Sequence, residues 1–200
     1  MTPAARAAAE RPPRGEARRA LILEAALRII GEDGPAAVTH RRVAQEAGLP
    51  LAATTYWFSS KDELLAEACR LAAERDAARL RNVAEQLVAD PHRDIAGRLT
   101  DLLTAELADT RSTLIAFYTL WLEAARRPAL REVGQEYSDM YLGTMRDILA
   151  AAGSATPDVD ARVLVAAIDG VVLEQLAAES GDPASAMRPV LERVVGALLP

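Results

Sequence analysis

The sequence predicts an all-α protein, with a three-helix N-terminal domain followed by a helical bundle of about five to six helices. Three observations lead there. Alanine and leucine are abundant and aromatics make up only 4% of the 200 residues, a composition that favours helix over sheet. Apolar residues recur at three- and four-residue spacing through nearly every segment, while no stretch alternates apolar with polar residues or carries an Asn-Gly hairpin signal. Proline and glycine fall between these segments, where helices begin and end.

Residues 1–15, rich in Ala, Arg and Pro without an apolar face, are expected to form a disordered arm whose Arg6, Arg11 and Arg14 could touch phosphate. The first helix runs from Glu16 to about Glu32 on a stripe of Ile22, Ala26 and Ile29 flanked by Leu23, Leu27 and Ile30, and Gly34-Pro35 stops it. Thr39 is an N-cap for the second helix, which carries Val43, Ala44 and Ala47 at core spacing. Gly48 follows, where a sharp turn is least costly without a side chain. Pro50 can open a short third helix because its missing N–H is not needed there. That helix ends in the aromatic run Tyr56-Trp57-Phe58, with Phe58 assigned to the core. Ser59 and Ser60 offer the next N-cap, and Asp62 and Glu63 suit the positive end of a long helix from Lys61 to about Ala89, stopped at Asp90-Pro91. Five further helices are expected: Asp94 to Leu107, Ser112 to Arg126, Pro128 to Ala152, Asp158 to Glu179, and Pro183 to Leu199. The chain thus divides into an arm (1–15), a three-helix domain (16–62) and a bundle (63–200).

Charge divides along the same line. Residues 1–61 hold nine Lys/Arg and six Asp/Glu, a net +3, whereas residues 62–200 hold fourteen and twenty-three, a net −9. A basic N-terminal part on an acidic body is the footprint of a nucleic-acid module joined to something else. Two helices joined by a short turn containing Gly match the helix-turn-helix pattern, in which the second helix enters the DNA major groove. The full stretch carries more: T-x-R-x-V-A-x-E-A-G-L in Thr39–Leu49, T-T-Y-W-F in Thr54–Phe58 and S-K-D-E-L-L in Ser60–Leu65. These motifs resemble the DNA-binding domain of the TetR family of transcriptional regulators, over roughly Ala17 to Leu65. In the bundle the likeness rests on length and helical pattern.

The residue chemistry assigns candidate DNA contacts beside that resemblance. Thr54 and Thr55 present methyl and hydroxyl groups to base edges, and Leu51, Ala52 and Ala53 begin the helix expected in the groove, although packing is an equal reading for Leu51 and Ala53. Lacking Arg, Lys, Asn and Gln, this helix should read bases modestly, which leaves Arg41 as the best bidentate guanine contact, beside Arg42. Tyr56, Trp57 and Lys61 match positions that in the TetR family commonly meet phosphate, and Thr39 and His40 add donors at a helix N-terminus. Ala52, Thr55 and Trp57 depart from the family, which often has Gly, Tyr and His there.

The resemblance implies a ligand pocket and a twofold dimer in the bundle. The aromatic and methionine cluster of Phe117, Tyr118, Trp121 and Tyr137 with Met140, Tyr141 and Met145 is where a small organic ligand would sit, with Tyr118, Tyr141 and Glu123 as polar tips; the alternative is plain core. The last two helices would pair with a second copy through Leu164, Ala167, Ile168 and Val171, and through Leu191, Val194, Val195 and Leu198, with Ala166, Ala167 and Gly170 permitting close approach. The implied function is a homodimeric, ligand-responsive regulator of double-stranded DNA, a repressor acting on a palindromic operator.

Other chemistry is not expected. His40 and His92 lie apart with no cysteine nearby, so a zinc site is not predicted; no phosphate-binding glycine motif or nucleophile elbow occurs, so neither a cofactor nor catalysis is expected. Cys69, the single cysteine, reads as a small core residue in a reducing cytoplasm. No run reaches membrane-span length and no signal peptide is visible, so a cytoplasmic protein is expected. Two rivals remain: a helical enzyme or small-molecule binder whose N-terminal hairpin is only structural, and a regulator whose bundle only dimerises.

Overall fold

The computed structural model describes residues 14–90, 94–178 and 181–200. It is built from eight α-helices, with no strand among the described residues. Most of the expected arm, together with His92 and the Pro91 stop, lies outside those residues; Arg14 and Gly15 are already helical.

The N-terminal unit comprises α1 (Arg14–Asp33), a 3-10 turn at Pro35–Ala37, α2 (His40–Glu46), α3 (Leu51–Trp57) and the start of α4 (Lys61–Ala89). Its joints follow from local chemistry. The Thr39 hydroxyl accepts from the Arg42 N–H at 3.2 Å and caps α2. Gly48 adopts φ 65°, a left-handed conformation that L side chains resist, and lets α3 turn away. Pro50 is the cap residue of α3 rather than its first helical residue. At the next joint the Ser60 hydroxyl accepts from the Glu63 N–H at 3.1 Å, while the Glu63 carboxylate accepts from Ser59 N–H at 2.7 Å and from its hydroxyl at 2.6 Å. These bonds to the charged form hold the Glu63 pKa below its ordinary value, the Ser59 hydroxyl contributing most.

The bundle contains the rest of α4, α5 (Ile95–Glu123), α6 (Pro128–Ala151), α7 (Pro157–Ala177) and α8 (Pro183–Leu198). Here the sequence reading is corrected: the two helices expected before and after residues 108–111 are the single helix α5. Only Thr110 leaves helical geometry, at φ −137° and ψ 26°. The polar run Asp109-Thr110-Arg111-Ser112 reads as a break by propensity, but tertiary contacts carry the helix through it. The Thr110 hydroxyl donates to the Glu106 carbonyl at 2.9 Å, and the Arg111 guanidinium donates to the Gln175 and Leu176 carbonyls near the end of α7 at 3.1 and 2.7 Å.

Two hydrophobic cores form, and α4 serves both. Leu64, Leu65, Ala68 and Ala72 belong to the N-terminal core with Ile22, Ile29, Val43 and Phe58; Leu80, Ala84 and Leu87 belong to the bundle core. The N-terminal core does not stop at residue 62, because Ala116 and Leu120 of α5 and Leu130 and Val133 of α6 are buried in it. The α1–α5 crossing is tight: a Cβ at Gly31 would fall 2.3 Å from the Ser112 carbonyl oxygen.

Candidate DNA interface and ligand cavity

On the N-terminal unit, α3 turns one face outward. Tyr56 is 80% and Leu51 50% exposed, and Ala52 and Thr55 are exposed beside them. Ala53 is half-buried. Thr54 is fully buried, which corrects its assignment as a base contact. Its hydroxyl donates to the Leu51 carbonyl at 2.9 Å, with a longer contact to the His40 carbonyl at 3.4 Å, so it fastens α3 onto the start of α2. A period of 3.6 residues sends positions 54 and 55 about 100° apart, and alternating with neighbours is what separates a strut from a surface residue here. Thr55 bonds its own helix, its hydroxyl donating to the Ala52 and Leu51 carbonyls at 3.3 and 3.4 Å.

Arg41 is exposed and forms no ion pair with a described residue, whereas Arg42 is held by Asp33. His40 is half-buried, with Nδ1 making no hydrogen bond. Lys61 Nζ donates to the Ala36 carbonyl at 3.0 Å, tying the start of α4 to the 3-10 turn while remaining partly exposed. Trp57 is half-buried against the N-terminal core, its ring edge-on to Tyr56 with centroids 5.3 Å apart, and Gly15 at the start of α1 passes over it.

In the bundle, α4, α5, α6 and α7 enclose a cavity of about 250 Å³. Phe117, Tyr118, Trp121, Tyr137 and Tyr141 line it, as the aromatic cluster predicts. Phe117 sits 4.7 Å from Tyr137 and 5.6 Å from Tyr118 between ring centroids, and Tyr137 lies 5.6 Å from Tyr141. Two predicted residues do not line it. Met145 is fully buried core, and Met140, half-buried, only accepts a Thr144 contact on its own helix. Glu123 is likewise elsewhere, in an ion pair with Arg127 at 2.8 Å that keeps its carboxyl ionised below the ordinary range.

The sequence reading missed the carboxylates of the cavity, Asp76, Glu106 and Asp169, which sit among the aromatics with the half-buried Arg79 beside Glu106. No motif flags them, since each stands alone on a different helix. Tyr137 donates its hydroxyl to Asp76, and Tyr118 donates to Asp169 at 2.9 Å. Arg79 Nε stands 3.4 Å from Glu106 Oε1 without forming a hydrogen bond. Burial raises the Asp169 pKa, and it raises that of Glu106 to about 8, helped by the negative charge of Asp76 against a smaller opposing pull from Arg79. The three cavity tyrosines are pushed well above their ordinary range, chiefly by burial, and stay neutral donors.

Two family models match this chain. One, described as bacterial regulatory proteins of the tetR family, covers residues 22–68, and one described as a tetracyclin repressor-like C-terminal domain covers residues 90–199. The chain belongs to the TetR family. It is 29% identical over 189 residues to the HTH-type transcriptional regulator PksA of Bacillus subtilis (strain 168), covering 90% of this chain and 87% of that protein. It is 31% identical over 174 residues to the HTH-type nicotine-responsive transcriptional repressor HdnoR of Paenarthrobacter nicotinovorans, covering 83% and 87%. Among solved structures, the multidrug binding protein EbrR complexed with ethidium shares 38% identity and a TM-score of 0.70 over 92% of this chain and 99% of that one. EbrR has also been solved with proflavin and with malachite green. As a TetR-family chain, it presents Arg41, Leu51, Ala52, Thr55 and Tyr56 on the outer face of its helix-turn-helix.

The expected subunit contacts sort by burial. Leu164, Ile168, Val171 and Leu191 are between 0 and 6% exposed inside this chain's own bundle core, out of reach of a second chain. Ala167, Val194, Val195 and Leu198 are half-buried, the last three packed against the same core. The sequence pattern found the apolar faces of α7 and α8, but Leu164, Ile168, Val171 and Leu191 face this chain's own core. The apolar residues that α7 leaves exposed are Val159, Val163, Ala166, Gly170, Leu173 and Ala177, spaced by four and three residues along one stripe, with Asp158, Arg162 and Glu174 exposed beside them. Cys69 is 3% exposed, and burial raises its thiol to about 11, so it stays protonated in the core. Among the described residues no group of acidic, His or Cys side chains could hold a metal, and no helix is long and apolar enough to cross a membrane.

Proposed function

We propose that this chain is a ligand-responsive repressor that binds a palindromic operator as a homodimer and releases it when a flat aromatic cation fills the bundle cavity. The observation that carries the reading is the double role of α5. Ala116 and Leu120 pack into the N-terminal core while Phe117, Tyr118 and Trp121 line the cavity, so one rigid turn touches both the DNA-reading unit and the ligand site. A ligand can shift the equilibrium only by its differential affinity for the two forms, and α5 gives it a place to act. Aromatic walls with carboxylates among them suit an aromatic cation, and ethidium in EbrR is such a ligand. The α7 stripe from Val159 to Ala177 is the face for a second copy; Gly170 has no atom within 4 Å of a notional Cβ, which leaves room for a partner helix to approach. A twofold dimer would set two reading helices roughly 34–36 Å apart, one DNA turn.

The test is selection of genomic DNA fragments by purified protein at a fixed, near-physiological salt concentration, with and without malachite green. A palindromic site recovered without the dye and lost with it is the expected result. Enrichment of no sequence would overturn the DNA reading, and retention of the site at saturating dye would overturn the ligand reading alone.

A further inference from the structure

The cavity holds three carboxyl groups in different states of satisfaction. Asp76 accepts from the Tyr137 hydroxyl and Asp169 from the Tyr118 hydroxyl. Glu106 is 4% exposed, lines the cavity, and its Oε1 makes no hydrogen bond. A buried polar atom without a hydrogen bond is costly and calls for an explanation. Arg79 is its ion-pair partner, with Nε 3.4 Å from Oε1 and likewise without a hydrogen bond, and the carboxyl also meets that of Asp76.

We propose that Glu106 is the charge-selecting residue of this cavity: its carboxyl is protonated while the cavity is empty, and an entering aromatic cation takes the place of that proton. This rests on the aromatic-cation reading above. The exchange balances simply. The O–H bond of the carboxyl breaks, the proton leaves to solvent, and the carboxylate remains paired with the cation. No redox or covalent partner is needed.

The surroundings favour both ends of the exchange. The charged and titratable groups that line the cavity with Glu106 are Asp76 and Arg79 on α4, Tyr118 on α5, Tyr137 and Tyr141 on α6, and Arg162 and Asp169 on α7; α8 contributes none to the lining. With the tyrosines neutral, two carboxylates face the half-buried Arg79 and the more exposed Arg162, so an ionised Glu106 would tip the empty site to a net negative charge. Burial and Asp76 place the Glu106 carboxyl at about 8, protonated at neutral pH. A cation brought within a few ångströms reverses that balance, since an opposite charge favours the ionised form. The tyrosine and phenylalanine faces add cation–π attraction that a neutral ligand of the same shape does not collect.

The test is calorimetric titration of nucleic-acid-free protein with ethidium, whose charge is fixed, in buffers of different ionisation enthalpy from about pH 6 to about pH 9. The intact protein should release close to one proton per ethidium near neutral pH and almost none at the top of the range. Affinity should rise roughly tenfold from pH 6 to pH 7 and about fivefold more to pH 8, then level as the carboxyl ionises on its own. Glu106→Gln should release no proton and bind ethidium at least tenfold more weakly at pH 9, while binding phenanthridine, the uncharged ring system, unchanged. The phenanthridine titration also shows that the variant cavity is intact; should the variant not fold, the proton count of the intact protein decides alone. PH-independent ethidium binding without proton release, or a Glu106→Gln variant that still releases the proton, overturns the proposal and leaves the aromatic-cation reading standing. No ethidium binding at any pH would overturn both.

Discussion

Replacing Gly31 by Ala tests the crossing of α1 over α5. The added Cβ would lie 2.3 Å from the Ser112 carbonyl oxygen and 2.3 Å from its Oγ. The hydroxyl can rotate away, but the carbonyl belongs to the α5 backbone, so relief requires the two helices to part by about 1 Å, the difference from an ordinary contact. Overpacking of this kind costs about 1–3 kcal/mol. Alanine recovers up to about 1 kcal/mol of helix propensity, leaving a net loss of up to about 2 kcal/mol. For a chain of this size that lowers Tm by up to roughly 8 °C. Gly143 of α6 is the matched control, since a Cβ there meets nothing within 4 Å. Gly143→Ala should therefore stabilise by up to about 1 kcal/mol and raise Tm by roughly 2–4 °C. Both are read by thermal unfolding at one protein concentration, because the proposed dimerisation would make Tm concentration-dependent. A Gly31→Ala variant stabilised as much as Gly143→Ala would refute the tight crossing, and with it the claim that the reading unit is clamped to α5.

Three further outcomes follow from the same geometry. Arg41→Ala should weaken operator binding by about 1–3 kcal/mol and relax preference at one base position, whereas Thr54→Val, buried beneath α3, should cost about 1 kcal/mol of stability and leave sequence preference intact; competition binding with single-base operator variants separates them. Leu173→Asp, 45% exposed in the middle of the α7 stripe, should shift the protein from dimer to monomer in sedimentation while its helical circular dichroism is kept. Glu106 should also tilt the stability of the empty protein with pH. Its folded pKa of about 8 exceeds the ordinary 4.5, so between those values the folded state binds more protons than the unfolded one. Its contribution is fully present below 4.5 and is lost as pH rises through about 8; denaturant midpoints across that window should fall less steeply for Glu106→Gln.

What the sequence made legible was whatever depends on neighbours in the chain. The caps at Thr39 and Ser60, the glycine at 48 and the proline stops each act within a few residues, and the helices begin and end where they say. Residues 108–112 misled because helix propensity is a local preference, and Arg111 held by the end of α7 outweighs it. Thr54 misled for a related reason: Thr is equally at home on a surface or donating to a carbonyl, and only the packing of α3 on α2 decides between them. The last two helices are apolar on more than one face. Periodicity finds both faces, yet which one meets this chain's own core is fixed by α5 and α6, far away in sequence. The cavity was half legible. Aromatics clustered on two neighbouring helices stand out, whereas Asp76, Glu106 and Asp169 come from α4, α5 and α7 and read individually as ordinary solvated charges.

Those hidden carboxylates alter the way the cavity and the DNA-reading unit are connected. Asp76 is on α4, the helix whose first turn belongs to the N-terminal unit, and its carboxylate is held by Tyr137 of α6. Nearer that end, Arg127, just beyond α5, pairs with Asp62 in the first turn of α4 at 2.7 Å while keeping its bond to Glu123. Arg79, three residues beyond Asp76, faces Glu106 and reaches the Thr110 hydroxyl at 3.5 Å, where α5 departs from helical geometry. Thr110 is two residues from Ser112, the point on which Gly31 of α1 rests. A charge arriving beside Glu106 therefore acts on the one arginine that bridges the interior of α4 to the kink in α5, and both helices continue into the N-terminal core. On the reading proposed above, the shift needs no long-range wire. Interfaces packed this closely tend to hold one of a few discrete arrangements rather than deform continuously, so displacing Arg79 within the cavity is felt where α1 crosses α5.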